Sequence, residues 1–437
     1  MTELLNKIYC GDCKFVMDHD LVSRNIKVDL IYLDPPFFTG EVQKTVWMPE
    51  AMEISFEDSK EFWGESEKQA EMRKNALDWI VEVSHGRPEF ASYLYYMHER
   101  LTWCRSVLKS TGSIYLHCDY RASHYLKMMM DGIFGHDNFL NEIVWGYSGG
   151  AVAKRYFPRK HDVILFYTKE GHHIFNIEWK PYGPTTSSHK GGGALREEGT
   201  PVTDCWDDLR GMSLVSKERM GYPTQKPEKL LNRIIKASSN EGDIVLDPFC
   251  GCGTAVVVAH KLKRRWIGID ISADACMLMQ KRFEKEFNFV PEVILRNEET
   301  VRKLAPQEFH AWVNEYYEAE KPSLDQGVDG IISKSGVPIQ TKGWDEKVSY
   351  PTVTQFSADV KIHPDVLKPV KRMIIVSRDG FDNKARATVD QIHRLEGVQI
   401  ELVALKDMFS KKKEVAPEKE EQKTVMKDGK FEVVKNE

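Results

Sequence analysis

Between Lys7 and about Phe289, short β-branched runs alternate with helical patterns, and this alternation restricts the chain more than any other feature. Strands separated by helices pair as parallel neighbours joined by crossovers, so the pattern predicts an α/β domain on a mostly parallel sheet. Val28-Asp29-Leu30-Ile31-Tyr32-Leu33, Gly112-Ser113-Ile114-Tyr115-Leu116-His117 and Asp162-Val163-Ile164-Leu165-Phe166-Tyr167 read as buried strands, as do Asp243-Ile244-Val245-Leu246 and Trp266-Ile267-Gly268-Ile269. Two stretches interrupt the alternation. Residues 41–90 are charged and rich in Trp and Glu, which predicts a helical insertion, and residues 146–220 carry three consecutive glycines between Lys190 and Arg196, a mobile-loop signal. A second, smaller α/β alternation spans 301–409. It predicts a helix near Gln307–Ala319, strands near Val328–Ser333 and Val337–Lys342, a strand Arg372–Ser377, then a helix and a last strand. From Lys411 onward the chain is Lys/Glu-rich with few apolar residues, so 410–437 is expected to be a disordered tail. The expected domains are therefore 1–290 and 301–409.

Composition excludes several classes. With 437 residues, 41% of them hydrophobic, the chain can bury two or three cores. No apolar run approaches the roughly 20 residues that cross a bilayer, and the start lacks a signal-peptide pattern, so a cytoplasmic protein of bacterial or phage type is expected, with no membrane partner. The net charge of −5 gives no global attraction to nucleic acid, so any such site must be a local basic surface. Eight cysteines without a secretion signal read as reduced thiols. Cys10-Gly11-Asp12-Cys13 has the spacing of half a zinc site, but the next cysteine is Cys104.

Two segments carry the chemistry. Asp34-Pro35-Pro36-Phe37 directly follows a strand, where prolines fix φ and remove backbone donors. A carboxylate, the Pro35 carbonyl and an aromatic ring held stiffly together suit a planar base with an exocyclic amine; a plain proline turn is the alternative. The second segment is Asp247-Pro248-Phe249-Cys250-Gly251-Cys252-Gly253-Thr254, between a strand and an apolar helix, with Asp270 ending the next strand. Glycines there let backbone approach a ligand at the carboxyl edge of the sheet, and an acid about 20 residues later suits ribose hydroxyls. Val256 stands where a dinucleotide fingerprint has its third glycine, which disfavours NAD.

Together these segments resemble the amino methyltransferases of DNA, with their D/N/S-P-P-Y/F/W and F-x-G-x-G-T motifs. Ser216 to Pro227, Gly112 to Asp119 and Phe134-Gly135 to Trp145 resemble further motifs of that family. The catalytic motif precedes the cofactor motif by more than 200 residues, which is the circularly permuted, beta-class order, a permuted Rossmann-like methyltransferase. The resemblance implies that Asp247, Phe249, Gly251, Gly253 and Thr254 surround S-adenosylmethionine and that Asp270 takes its ribose hydroxyls. It implies further that Asp12 reaches the adenine amine of the cofactor and that Thr224, Gln225 and Lys226 lie by its methionine end. Asp34, Pro35, Pro36 and Phe37 would hold the target base. Hydrogen bonds to Asp34 and Pro35 would localise the amine lone pair for direct attack on the methyl group, with no cysteine nucleophile. In duplex DNA the base must first be flipped out. An aspartate in this motif resembles the adenine-modifying members, so the 6-amino group of adenine is expected; the cytosine 4-amino group is the alternative. The expected partners are double-stranded DNA and a second copy of the chain as a homodimer. Lys154, Arg155, Arg159, Lys160, His161 and Lys190, among aromatic residues, mark the expected recognition region.

In the second region, Asp329 on one strand and Gln340 and Lys342 on one face of the next resemble the Mrr-like branch of the restriction-endonuclease fold. There Asp329 and Gln340 would hold a divalent metal such as Mg2+, and Lys342, not itself a ligand, would stabilise charge. His310 follows Phe309 where that family usually has Glu, and Gln brings less charge than Glu, so weak or absent cleavage is expected. A fused restriction and modification enzyme and a non-catalytic DNA-binding protein remain as alternatives.

Overall fold

The computed structural model describes residues 4–39, 42–44, 55–57, 78–147, 153–183, 195–209, 211–212, 218–222, 224–323, 327–343, 346–366, 369–410, 423–427 and 430–434. The chain divides into two compact units, Met1–Val301 and Arg302–Glu437.

The strands of the first unit are β1 (Lys7–Gly11), β2 (Val28–Leu33), β3 (Leu108–Cys118), β4 (Phe139–Gly146), β5 (His161–Thr168), β6 (Cys205–Trp206), β7 (Ile244–Asp247), β8 (Arg265–Asp270) and β9 (Val293–Arg296). They form one sheet in the order β6-β4-β5-β3-β2-β7-β8-β1-β9. All pairings are parallel except those of β5, which runs antiparallel to both β3 and β4. All six residues of β2 are buried, as a central strand covered on both faces requires. Its alternate side chains feed two cores: Ile31 and Leu33 enter one, Leu30 and Tyr32 the other. Helix α1 (Pro88–Val107) contributes Phe90, Leu94, Met97 and Leu101 to the first core. Helices α2 (Ser123–Phe134), α3 (Glu228–Ala237), α4 (Thr254–Lys261) and α5 (Ala273–Phe287) complete the helical layers, the last three packing Leu231, Val256 and Phe283 into the second core.

The edge strand β9 is tied back to the start of the chain. The Arg296 guanidinium donates to both Asp20 oxygens at 2.9 Å, and both side chains are fully buried. Burial alone would raise the Asp20 carboxyl, but hydrogen bonds from His19 and Arg296 bring it down to about 2.

Most of the helical insertion expected over residues 41–90 lies outside the described residues. Among the described residues of this stretch, Val42–Lys44 and Ser55–Glu57 form a short antiparallel pair and Asp78–Val83 is helical. The three consecutive glycines lie outside the described residues.

The second unit has a five-stranded sheet in chain order: β10 (Ala319–Glu320), β11 (Gly330–Ile332), β12 (Pro338–Lys342), β13 (Arg372–Ser377) and β14 (Gln399–Ala404). The first three strands are antiparallel and the last three parallel. Helices α6 (Pro306–Tyr316), α7 (Tyr350–Ile362) and α8 (Asn383–Glu396) accompany it, with Val353, Phe356, Val360, Met373, Ile375 and Ala385 in the core. Helix α7 has no counterpart in the sequence reading. Its β-branched Val353 and Thr354 obscure it, although Pro351 sits in the first turn, where proline favours a helix start. Within the tail, Lys423–Lys427 pairs antiparallel with Lys430–Val434, and the rest of it from Lys411 onward lies outside the described residues.

Candidate active site

Strands β2 and β7 lie side by side and parallel, with Ile31 opposite Leu246. From this pair the chain progresses outward in both directions, to β3 on one side and β8 on the other. Such a reversal opens a crevice at the carboxyl ends of the strands. Asp34 to Phe37 leave β2 there, Asp247 to Gly253 leave β7, Asp270 ends β8, and Asp12 follows β1. A cavity of about 270 Å³ results. Asp12, Asp34, Pro35, Pro36, Phe37, Thr224, Gln225, Lys226, Asp247, Phe249, Gly251, Thr254 and Asp270 all line it.

Gly253 is not among the lining residues. It takes φ +79° at the start of α4, and a Cβ there would lie 2.5 Å from Met279 Cγ. Gly251, at φ +50°, would set a Cβ 2.8 Å from the Tyr222 ring. Both glycines are required by left-handed backbone and close packing within the protein, rather than only by approach of a ligand.

The acids differ in their surroundings. Asp270 Oδ2 accepts from Gly251 N at 2.8 Å and Oδ1 from Ser272 N at 2.9 Å, so its carboxylate joins the two loops. Burial raises its carboxyl, and these two donors oppose the rise. Burial also pushes Asp247 well above its ordinary range, with the charges of Asp34 and Asp270 adding to the shift and the Phe249 N–H opposing it. Asp12 caps the helical turn Cys13–Val16 by accepting from Lys14 N at 2.8 Å, and its other oxygen accepts from Arg100 Nη2 at 2.5 Å. Gln225 braces its own loop, accepting from Met220 N at 2.7 Å and donating to the Glu218 carbonyl at 2.6 Å. Lys226 donates to both Asp34 oxygens, at 2.7 and 2.5 Å. Cys250 and Cys252 are buried with raised thiols, a poor setting for a nucleophile.

Residues not singled out by sequence reasoning complete the site. His117 lies behind Phe37, with ring centroids 5.5 Å apart. Its Nδ1 is 2.9 Å from the Tyr32 hydroxyl and its Nε2 is 3.2 Å from Asp162 Oδ2, while the Tyr147 hydroxyl donates to Asp162 Oδ1 at 3.1 Å. Burial would raise the Asp162 carboxyl, but the hydrogen bond and charge of His117 lead the effects that lower it. Only the sheet brings Tyr32, His117 and Asp162 together. Arg100 was equally hidden, as one basic residue on a long helix.

In the second unit Asp329 Oδ2 accepts from Thr341 N at 2.6 Å and from the Thr341 hydroxyl at 3.1 Å, and His310 Nδ1 lies 4.0 Å from Asp329 Oδ1. Gln340 donates through Nε2 to the Gly327 carbonyl at 3.0 Å, whereas its buried Oε1 has no hydrogen-bond partner among the described residues. Lys342 ends β12 beside them. Glu308 accepts from Ala305 N at 2.8 Å and so caps its own helix. Among the described residues no group of three or more His, Cys, Asp or Glu side chains is placed to hold a metal.

A sheet with this reversal, carrying an acid-lined crevice between a proline motif and a glycine loop, defines a methyltransferase-like α/β protein. Residues 28–281, more than half of the chain, match the family model described as DNA methylase, and the chain belongs to that family. Residues 301–410 match the model described as restriction endonuclease. The chain is 35% identical to Type II methyltransferase M.HpaI of Haemophilus parainfluenzae over 204 residues, covering 46% of this chain and 62% of the relative. It is 28% identical to Type II methyltransferase M.EcaI of Enterobacter cloacae, covering 60% of this chain and 66% of the relative. It thus spans a little under two thirds of each. Identity to DNA adenine methyltransferase YhdJ of Escherichia coli (strain K12) is 28%, covering 62% of this chain and 80% of the relative. The solved M1.HpyAVI-SAM complex aligns with 22% identity and a TM-score of 0.39, covering 63% of this chain and 98% of the other. Among the described residues, no helix is long and apolar enough to cross a membrane.

Proposed function

We propose that this chain is an S-adenosylmethionine-dependent DNA methyltransferase that modifies the 6-amino group of adenine in a flipped-out base. The observation that carries the reading is the convergence of Asp34 to Phe37 with Asp247, Phe249 and Asp270 on one cavity. The donor set suits the cofactor. Asp270 keeps a second lone pair on each oxygen for ribose hydroxyls, Phe249 offers an apolar face, and the several carboxylates favour a cation. When bound, S-adenosylmethionine supplies an electrophilic methyl group.

The chain's own residues do the rest. Asp34 accepts one N–H of the target amine and the Pro35 carbonyl accepts the other, which draws the nitrogen lone pair out of conjugation with the base. Phe37, backed by His117, stacks on the base, and such stacking contributes about 1–3 kcal/mol. An Asp34 oxygen is the acceptor nearest the proton that the amine must shed.

DNA contact falls to the exposed stretch Lys154 to Arg159, which leads into β5. Arg159 Nη1 donates to the Tyr120 hydroxyl at 3.0 Å, and Phe157 is 95% exposed. Lys and Arg there would neutralise phosphates and aromatic rings would meet bases. Lys190 lies outside the described residues.

The second unit reads as a restriction-endonuclease-fold module that grips DNA and cuts weakly or not at all. The unpartnered Gln340 Oε1 and the Asp329 carboxylate are the oxygens a Mg2+ ion would draw on, with Lys342 beside them. Transfer of labelled methyl groups to DNA, followed by mass spectrometry of the digested nucleosides, tests the main reading. Methylation confined to the cytosine 4-amino group would overturn the adenine assignment.

A further inference from the structure

Lys226 joins the two motifs in a way that neither motif's role explains. Its Nζ bonds both Asp34 oxygens, lies 3.4 Å from the Thr224 carbonyl oxygen, and sits 5.0 Å from the centroid of the Phe37 ring. That last distance is a cation–π contact. His117 also packs on Phe37, so imidazole and ammonium both border the ring on which a base would stack. The pair is only 11% and 16% exposed, which makes it more than a solvent-screened surface contact. A primary ammonium, with three N–H donors on a flexible stem, therefore sits on the acceptor and by the ring that the proposed function gives to the base amine.

We infer that Lys226 gates the target-base pocket: its ammonium holds Asp34 as a surrogate amine, and an entering base must exchange its own exocyclic amine for that ammonium. The inference rests on the reading that Asp34 and Phe37 bind the target base. Exchange succeeds only for a base that brings both an N–H donor for Asp34 and a flat face for Phe37. A base without an amine at that place leaves Asp34 to Lys226, so the lysine adds selectivity that the Asp34 motif alone lacks. The displaced ammonium has an anion to move toward, because its charge already helps to lower the Asp162 carboxyl. Lys226 is thus a positioning residue that acts through Asp34. Its occupancy lowers the fraction of protein ready to accept a base, and so weakens apparent DNA binding.

The test compares the parent with Lys226→Met and Lys226→Arg in methyl transfer to unmethylated plasmid DNA. Lys226→Met is expected to lower KM for DNA by about fivefold or more, with a smaller change in kcat. Lys226→Arg keeps the charge and pairs with a carboxylate through a two-pronged fork, so its KM is expected to rise. Once sequencing has located the methylated position, duplexes carrying 2-aminopurine there give a second readout. This base lacks the 6-amine, so the parent should leave it stacked and dim, while Lys226→Met should extrude it and raise its fluorescence. A KM that rises in Lys226→Met together with weaker cofactor binding by calorimetry would make Lys226 a structural or cofactor residue and overturn the gate. Unchanged KM and fluorescence would also overturn it. Should Lys226→Met not fold, a KM for Lys226→Arg at or below the parent's does the same. Methyl transfer retained by Asp34→Ala would instead refute the base-site reading beneath the gate.

Discussion

The two units place acidic residues at strand ends in opposite ways. In the first, residues more than 200 positions apart meet because the sheet reverses direction between β2 and β7. In the second, Asp329, Gln340 and Lys342 are neighbours on one hairpin, and no reversal gathers distant groups around them. The acids at the first site stand in a cavity, and the Asp34 carboxylate is held by a side chain that can swing away. Asp329 Oδ2 is bound to the hydroxyl of Thr341 and to its backbone N–H, and the latter cannot. What separates the two is that Asp34 is held by a flexible ammonium open to exchange, whereas one donor to Asp329 is fixed backbone.

The largest effect expected concerns what holds the first unit's sheet together, a fully buried ion pair with no counterpart among the described residues of the second unit. Asp20→Ala leaves Arg296 buried without its counter-charge, and breaking such a pair costs about 3–5 kcal/mol. Two unfolding transitions by calorimetry should show the first unit melting earlier and the second unmoved; a joint shift would mean that the units do not unfold separately. Acid should reach the same pair. The folded carboxyl lies at about 2 against an ordinary 3.8, so the stabilisation is complete above about pH 4 and is lost as the pH falls through 2. That loss amounts to about 2 kcal/mol, and it should vanish from the acid unfolding curve of Asp20→Asn.

Within the first site, roles should separate. Asp34→Ala is expected to slow methyl transfer by about 10²–10³-fold, the usual cost of one lost preorganised contact, while S-adenosylmethionine binding stays measurable. Asp270→Ala should instead weaken cofactor binding by about 1.5–3 kcal/mol, the worth of hydrogen bonds to a charged acceptor. Equal losses of cofactor affinity in both variants would collapse the distinction between base side and cofactor side.

How much of this was legible depended on distance along the chain. Asp34 to Phe37 and Asp247 to Thr254 could be read because each is a contiguous motif at a strand end. The five anticipated strands of the first unit are all present, since continuous apolar runs bounded by turns mark buried strands. The network of Tyr32, His117 and Asp162 was not legible. It exists only because β5 runs antiparallel against β3, and nothing local in the sequence announces that pairing. The Lys226–Asp34 pair was hidden for the same reason, with 192 positions between its members. Glycine roles were half legible: the need for Gly251 and Gly253 was clear, but Tyr222 and Met279, the side chains that would clash, come from other segments.

The smallest effects belong to the second unit. Removing residues 302–437 should leave methyl transfer per bound DNA within about twofold, because the cavity and both cores of the first unit lie wholly before Arg302. DNA affinity should fall, and the salt dependence of binding should flatten as phosphate contacts disappear. With Mg2+, the full chain should leave both unmodified and methylated plasmid uncut during the time it needs to methylate it. Mg2+ calls for near-octahedral oxygen ligation, yet one Asp329 oxygen already accepts two bonds from Thr341, Gln340 brings no charge, and Glu308 is committed to its helix cap. His310, the side chain nearest the Asp329 carboxylate on α6, offers nitrogen where a hard cation prefers oxygen. Robust cutting by the parent that Lys342→Ala abolishes would show that the hairpin assembles a working site after all. Methyl transfer lost on truncation would show that the first unit needs the second to complete its fold.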